Sequence, residues 1–262
     1  FPFVAQYYVF MCCMIAVAYA WWRTEPDRGA RRFAAGALAL FLVAVFLSGA
    51  RGAFVFVPVL LVLILLLEPF SARLFARIAS VGIGGLTAAM VVAGLSLGAL
   101  LPHLAENATV QLDALVIDGF TNAEQFSAVG LGAGIDSSGA RHVADPAELR
   151  AGFGGTWEES WWVKSLLELG VAGLVAVLAV LGTLLFRLLE GHYMIRRGPL
   201  GPASAALLAV LIWTLIYNVK AQYIDLDPLN VYFWLFAGLA FKIQAIGRRP
   251  QPEGSQDAQA TA

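Results

Sequence analysis

Residues 33–67 read FAAGALALFLVAVFLSGARGAFVFVPVLLVLILLL, and the only charge among them is Arg51. Before it lie 18 uncharged residues after Arg32, and beyond it 16 more precede Glu68. A helix of about 20 predominantly apolar residues crosses the ~30 Å hydrocarbon layer of a bilayer. The stretch therefore predicts two membrane spans, 33–50 and 52–67, joined by the tight turn Leu47-Ser48-Gly49-Ala50-Arg51-Gly52. The composition agrees: hydrophobic residues make up 60% of the chain and charged residues 13%, with a mean hydropathy of +0.75. A soluble domain carries about 25% charged residues, so this chain cannot cover itself with a water-facing surface.

Working outward, further apolar runs occupy 3–22, 78–101, 166–186, 202–219 and 229–246, which predicts an all-α, polytopic transmembrane helical bundle of seven spans over residues 1–246. The run at 1–22 ends in Trp21-Trp22-Arg23, an interfacial anchor rather than a cleavage site, and reads as a span and not a signal peptide. Phe1 in first place marks the chain as a fragment or processed form. Cys12 and Cys13 lie side by side within that run and read as packing residues. Twelve of the 17 Lys and Arg residues fall in four segments that alternate to one side: 23–32, 73–77, 187–197 and 242–249. By the positive-inside rule the N-terminus is outside and the C-terminus inside. Residues 103–164 are then expected to form one long outer loop, and 247–262 a disordered cytoplasmic tail. No internal repeat is visible, a net charge of −1 gives no reason to expect nucleic acid, and the partner that composition does imply is the lipid bilayer.

Two places hold residues suited to chemistry. Arg51 sits in the outer turn, where a guanidinium can grip a diphosphate bidentately or simply snorkel to lipid headgroups. The second place is Thr156-Trp157-Glu158-Glu159-Ser160-Trp161-Trp162-Val163-Lys164-Ser165-Leu166-Leu167-Glu168-Leu169-Gly170, where the loop re-enters the membrane. Glu159 lies near the apolar boundary, where desolvation favours a general base. Glu168 lies deeper, and an ionisable group inside a span is a functional candidate; the plainer reading pairs it with Lys164 four residues away. Gly130-Leu131-Gly132-Ala133-Gly134 lacks the preceding strand and following helix of a dinucleotide site, and reads as a flexible or close-approach loop. His103, His142 and His192 have no ligand spacing, so no metal site is expected, and there is no serine hydrolase elbow or Walker loop.

The outer turn Ser48-x-x-Arg51-Gly52, the long loop with its Gly-x-Gly-x-Gly run, and the polar-aromatic segment leading into Leu-Leu-Glu-Leu-Gly-Val-Ala-Gly-Leu together resemble the O-antigen ligase/polymerase-like family over residues 33–246. The resemblance implies a GT-C-like bundle, the later half of a longer chain, in the bacterial inner membrane. It implies a metal-independent glycosyltransferase without cofactors, of O-antigen or exopolysaccharide polymerase or ligase type. Its donor is an undecaprenyl-diphosphate-linked glycan, its acceptor another glycan or lipid A-core, and its partners include other polysaccharide-assembly membrane proteins. Arg51 matches the family's arginine after a Ser and would bind the diphosphate. Arg141, Arg150 or Lys164 would supply the family's second cation, Glu159 stands about where ligases place a catalytic His, and Ser48 and Glu168 take structural or catalytic roles. Leaving-group chemistry of this kind needs an oriented acceptor, a base and a counter-charge for the departing diphosphate. The alternatives are a transporter or flippase for a polar or lipid-linked solute, which predicts charged or broken helices at mid-membrane, and a non-catalytic scaffold.

Overall fold

The structure, a computed structural model, describes residues 4–48, 50, 52–69, 80, 84, 128–130, 132, 133, 160–225 and 228–248. Within them the chain is all-helical, with α1 at Val4–Thr24, α2 at Arg28–Leu47, α3 at Ala53–Leu67, α4 at Trp161–Ile195, α5 at Gly201–Tyr217 and α6 at Leu229–Gly247. Three of these, α2, α4 and α6, are long and apolar enough to cross a membrane. α3 and α5 are shorter apolar helices of 15 and 17 residues. The expected span 78–101 lies outside the described residues except for Ser80 and Gly84, and so does most of the expected loop 103–164.

Local chemistry sets the turns. Asp27 has extended backbone and its carboxylate accepts from Ala30 N at 2.7 Å, which starts α2 after three connecting residues and folds it back against α1. At the far end of α2, Ser48 Oγ donates to Val45 O at 2.6 Å and accepts from Ala50 N at 3.2 Å. The expected tight turn is thus built by Ser48 itself, whose side chain stands in for missing backbone partners.

α5 is the axis of the bundle and packs against α1, α3, α4 and α6. It is apolar on every side and buried on almost every side. Ala205, Ala206 and Ala209 are fully buried, and their small side chains let the neighbouring helices approach. Larger groups key the helices to it: Trp213 Nε1 donates to Phe56 O of α3 at 2.6 Å, and Tyr8 of α1 meets Trp213 and Tyr217 edge-on at 5.9 and 5.4 Å.

The ends sort into two groups. At one end Arg23 pairs with the buried Glu68 at 2.9 Å, and His192 is fully enclosed among the ends of α3, α4 and α5. Its Nε2 is 2.9 Å from Leu67 O, and since a carbonyl only accepts, Nε2 carries the proton. Nδ1 then accepts the Ser204 hydroxyl at 3.1 Å, and Ser204 Oγ in turn accepts from Gln244 Nε2 of α6 at 3.3 Å. Gln244 also donates to Leu188 O at 2.8 Å. α6 seats closely at Gly191, where a Cβ would displace the ends of the Gln244 and Arg248 side chains. The opposite end gathers the 48–52 turn, the start of α4 and residues 217–225.

If α5 is enclosed on all sides, Ala206→Leu overfills it and destabilises the bundle by about 1–3 kcal/mol. A lowered midpoint in detergent-driven unfolding is the expected readout, and an unchanged midpoint would show that this face of α5 is open.

Candidate functional site

The second end is assembled from three stretches that are distant in sequence. Ser160 is the residue before α4, and the first helical amide, Trp161 N, is shared between Asn218 O at 3.0 Å and Ala221 O at 3.1 Å. The Trp162 indole donates to Leu215 O at 3.2 Å. Asn218 is fully buried, donates from Nδ2 to Thr214 O at 2.7 Å and accepts Ile224 N at Oδ1 at 3.3 Å, which closes the turn after α5. Tyr217 is sandwiched between Trp213 and Tyr223, nearly parallel to both at 5.2 and 5.1 Å, with Phe56 edge-on at 4.5 Å. Burial, with Tyr217 beside it, pushes the Tyr223 phenol well above its ordinary range, so the ring is neutral. Gly52 is part of the same end, since a Cβ on it would stand 3.5 Å from Tyr217 Oη.

A charged group sits on this platform. Lys164, on the first turns of α4, is buried, and its ammonium lies 3.0 Å from Asp225 Oδ2 and 3.9 Å from Glu168 Oε1. The Lys164 and Glu168 side chains are 7% and 10% exposed, while that of Asp225 is 40% exposed, so Asp225 presents the reachable carboxylate. Two carboxylates thus face one ammonium. Asp225 is held by its turn, with Asp225 N donating to Gln222 O at 3.2 Å.

Directly below, α4 breaks. Gly170 has φ 68 and ψ −175, an excursion at which glycine escapes the Cβ clash. Residues 128–130 and 132 lie against the break: Gly132 N donates to Glu168 O at 3.0 Å, and Ala172 N donates to Ala128 O at 3.2 Å. Gly130 also has positive φ, at 75. The fit depends on both glycines, because a Cβ on Gly130 would strike Glu168 O and Gly170 N, and one on Gly170 would strike Gly130 N and Ala128 O. The close approach is seen at Gly130, with the break as the surface approached, whereas a Cβ on Gly132 would meet open space.

Of the sequence-derived candidates, Lys164 and Glu168 are brought together with Asp225, and Ser48 builds the neighbouring turn. Arg51, Arg141, Arg150 and Glu159 lie outside the described residues. The sequence reading missed Asp225, which had no local signal: its partner Lys164 is 61 positions away. Among the described residues no group of His, Cys, Asp and Glu has the arrangement of a metal site. Compared with family models, characterised proteins and solved structures, the chain matches none of them.

The ion cluster makes a graded prediction. Lys164→Met removes the buried ammonium that Glu168 and Asp225 both face and should cost about 2–4 kcal/mol. Asp225→Asn leaves the Lys164–Glu168 pair and, because Asp225 is partly exposed, should cost about 1 kcal/mol or less. Equal losses of thermal stability in the two variants would contradict the cluster as described.

Proposed function

We propose that the chain is a membrane glycosyltransferase of O-antigen or exopolysaccharide polymerase or ligase type, moving a glycan from undecaprenyl diphosphate to an acceptor at the periplasmic face of the bacterial inner membrane. The observation that carries the reading is convergence. The family resemblance rests on the Ser48-x-x-Arg51-Gly52 turn, the run from Gly130 to Gly134 and the segment that leads into residues 166–174, and described residues of all three lie toward one end of the bundle: Gly132 N donates to Glu168 O at 3.0 Å, a Cβ on Gly130 would strike Gly170 N, and one on Gly52 would stand 3.5 Å from Tyr217 Oη.

In this scheme Arg51, with Arg141 or Arg150, holds the diphosphate and steadies the charge that develops on it, and Glu159 takes the acceptor proton. Lys164 is committed to Asp225 and Glu168. Its part is to hold the connection after α5 against the start of α4, which leaves the diphosphate to the arginines. One observation favours the transporter alternative: a broken helix within a span is a device of transporters, and α4 is broken at Gly170. The break lies five residues into the expected apolar run 166–186, nearer the start of that run than its midpoint at 176, which fits a site at one face better than a path through the bilayer.

The deciding experiment is Arg51→Ala in the full-length protein, in cells whose surface glycan depends on it, with membrane levels of the variant checked. Loss of mature glycan on the order of a hundredfold, with lipid-linked precursor accumulating on the periplasmic leaflet, is expected. Single repeat units in that precursor indicate a polymerase, and long chains a ligase. Precursor accumulating on the cytoplasmic leaflet would instead establish a flippase. Unchanged glycan would make Arg51 a headgroup anchor and end the proposal.

A further inference from the structure

α4 is too long for the two points on α5 at which it is held. Near its start, Trp161 N donates to Asn218 O at 3.0 Å, and near its end His192 Nδ1 accepts the Ser204 hydroxyl at 3.1 Å. Asn218 follows Ser204 by 14 residues of helix, which span about 21 Å. With the full reach of the bonding groups added, Trp161 and His192 lie within roughly 37 Å of each other. A straight helix over the 31 residues that separate them in sequence would need about 46 Å. The excess is absorbed at Gly170, the one residue inside α4 with non-helical backbone. With arms of about 13 Å before it and about 33 Å after it, the axis turns there by on the order of a right angle or more. We infer that α4 is two membrane elements: a span at residues 171–195, and a short arm at residues 161–169 folded back into the bundle at the end that carries Asn218.

Contact and burial agree with the fold-back. Residues four apart on a helix have Cβ atoms about 5–6 Å apart. Yet a Cβ on Gly173 would strike Leu169 Cβ, so the arm is turned down onto the start of the span, and glycine at 173 makes room for it. The two elements also meet different surroundings. Lys164, Ser165 and Glu168 of the arm are buried together with Trp161, Val163 and Leu167, and the other residues of the arm are half-buried. No side of the arm is therefore open to lipid. In the span, by contrast, Val171, Val175, Val180 and Phe186 are exposed, and residues 171–186 carry no charge.

The fold-back explains how one helix carries both a bare apolar flank and an ion cluster. Chain that enters a bilayer without crossing it is tolerated where protein encloses it, and the arm is enclosed. Turning it away from the span removes Lys164 and Glu168 from the lipid-facing element and sets them beside Asp225 and the residues that follow α5. Asp225, with 40% of its side chain exposed, is then the opening of the cluster at that end of the bundle. The inference does not rest on the glycosyltransferase reading, since it holds for any chemistry placed there.

The test uses the full chain in lipid nanodiscs, with Cys12→Ala and Cys13→Ala to remove the native thiols and nitroxide labels attached at Trp162→Cys and Met194→Cys. Pulsed electron–electron double resonance should give a separation below roughly 40 Å, whereas a straight helix would hold the labelled positions about 48 Å apart. Should Trp162→Cys not fold, Leu166→Cys with Met194→Cys decides instead, with below roughly 38 Å expected of the folded-back arm and about 42 Å of a straight helix. A distribution centred on the longer value in the pair measured would make α4 one continuous span and overturn the inference.

Discussion

A hydrocarbon environment offers no water to a backbone amide or carbonyl, so each must find a partner within the protein. Within a regular helix the requirement is met automatically, and it becomes acute where helices begin, end or break. The described structure answers it at those points with groups from far along the chain. Leu67 O, at the end of α3, receives the His192 imidazole across 125 positions. Trp161 N, at the start of α4, is shared by two carbonyls that follow α5. Glu168 O and Ala172 N, on either side of the break, are taken by the loop at 128–132. The helix ends thus determine which elements meet, and the apolar flanks fill in between.

The flanks themselves contribute selectivity of a different kind. Between helices surrounded by lipid there is little hydrophobic preference for one another over acyl chains, and close packing and interhelical polar contacts do the sorting. α5 shows both. Its buried alanines allow near approach on several sides, while Trp213, Thr214 and Asn218 cluster toward one end, where aromatic stacking and hydrogen bonds fix the rotation of the helix. At the other end Ser204 serves the same purpose, as the junction between His192 and Gln244. A helix with small residues along its length and polar residues at both ends can be gripped by four neighbours and still have a defined orientation.

The sequence announces what is governed by composition and local chemistry. The apolar runs, the turn at Ser48, the alternation of ends and the Lys164–Glu168 spacing are all within reach of a reader of the chain. α4 is longer than its apolar run at 166–186 because Trp161, Trp162 and Lys164 are polar or amphipathic residues whose partners lie in the distant 215–225 segment. The break at Gly170 is invisible because a glycine in an apolar helix looks like a packing residue, and only the arrival of Gly130 gives it meaning. His192, which sequence spacing leaves isolated, is a fully buried node of the opposite end. In each case the missing information is a partner many positions away, and one sequence without its three-dimensional contacts does not contain it.

The charge balance of the candidate site constrains any chemistry assigned to it. Lys164 lies between two carboxylates, Asp225 and Glu168, partly shielded from solvent, and at short range a carboxylate repels a diphosphate. On the glycosyltransferase reading, the two halves of the reaction must therefore lie apart. The anionic leaving group belongs with the arginines, and the neutral, hydroxyl-bearing acceptor can approach the carboxylates without penalty. Asp225 faces outward while Lys164 pins one of its oxygens, which leaves the other able to accept a hydrogen bond from a hydroxyl. On that reading Lys164 serves the acceptor side, by fixing a carboxylate in place, rather than the donor.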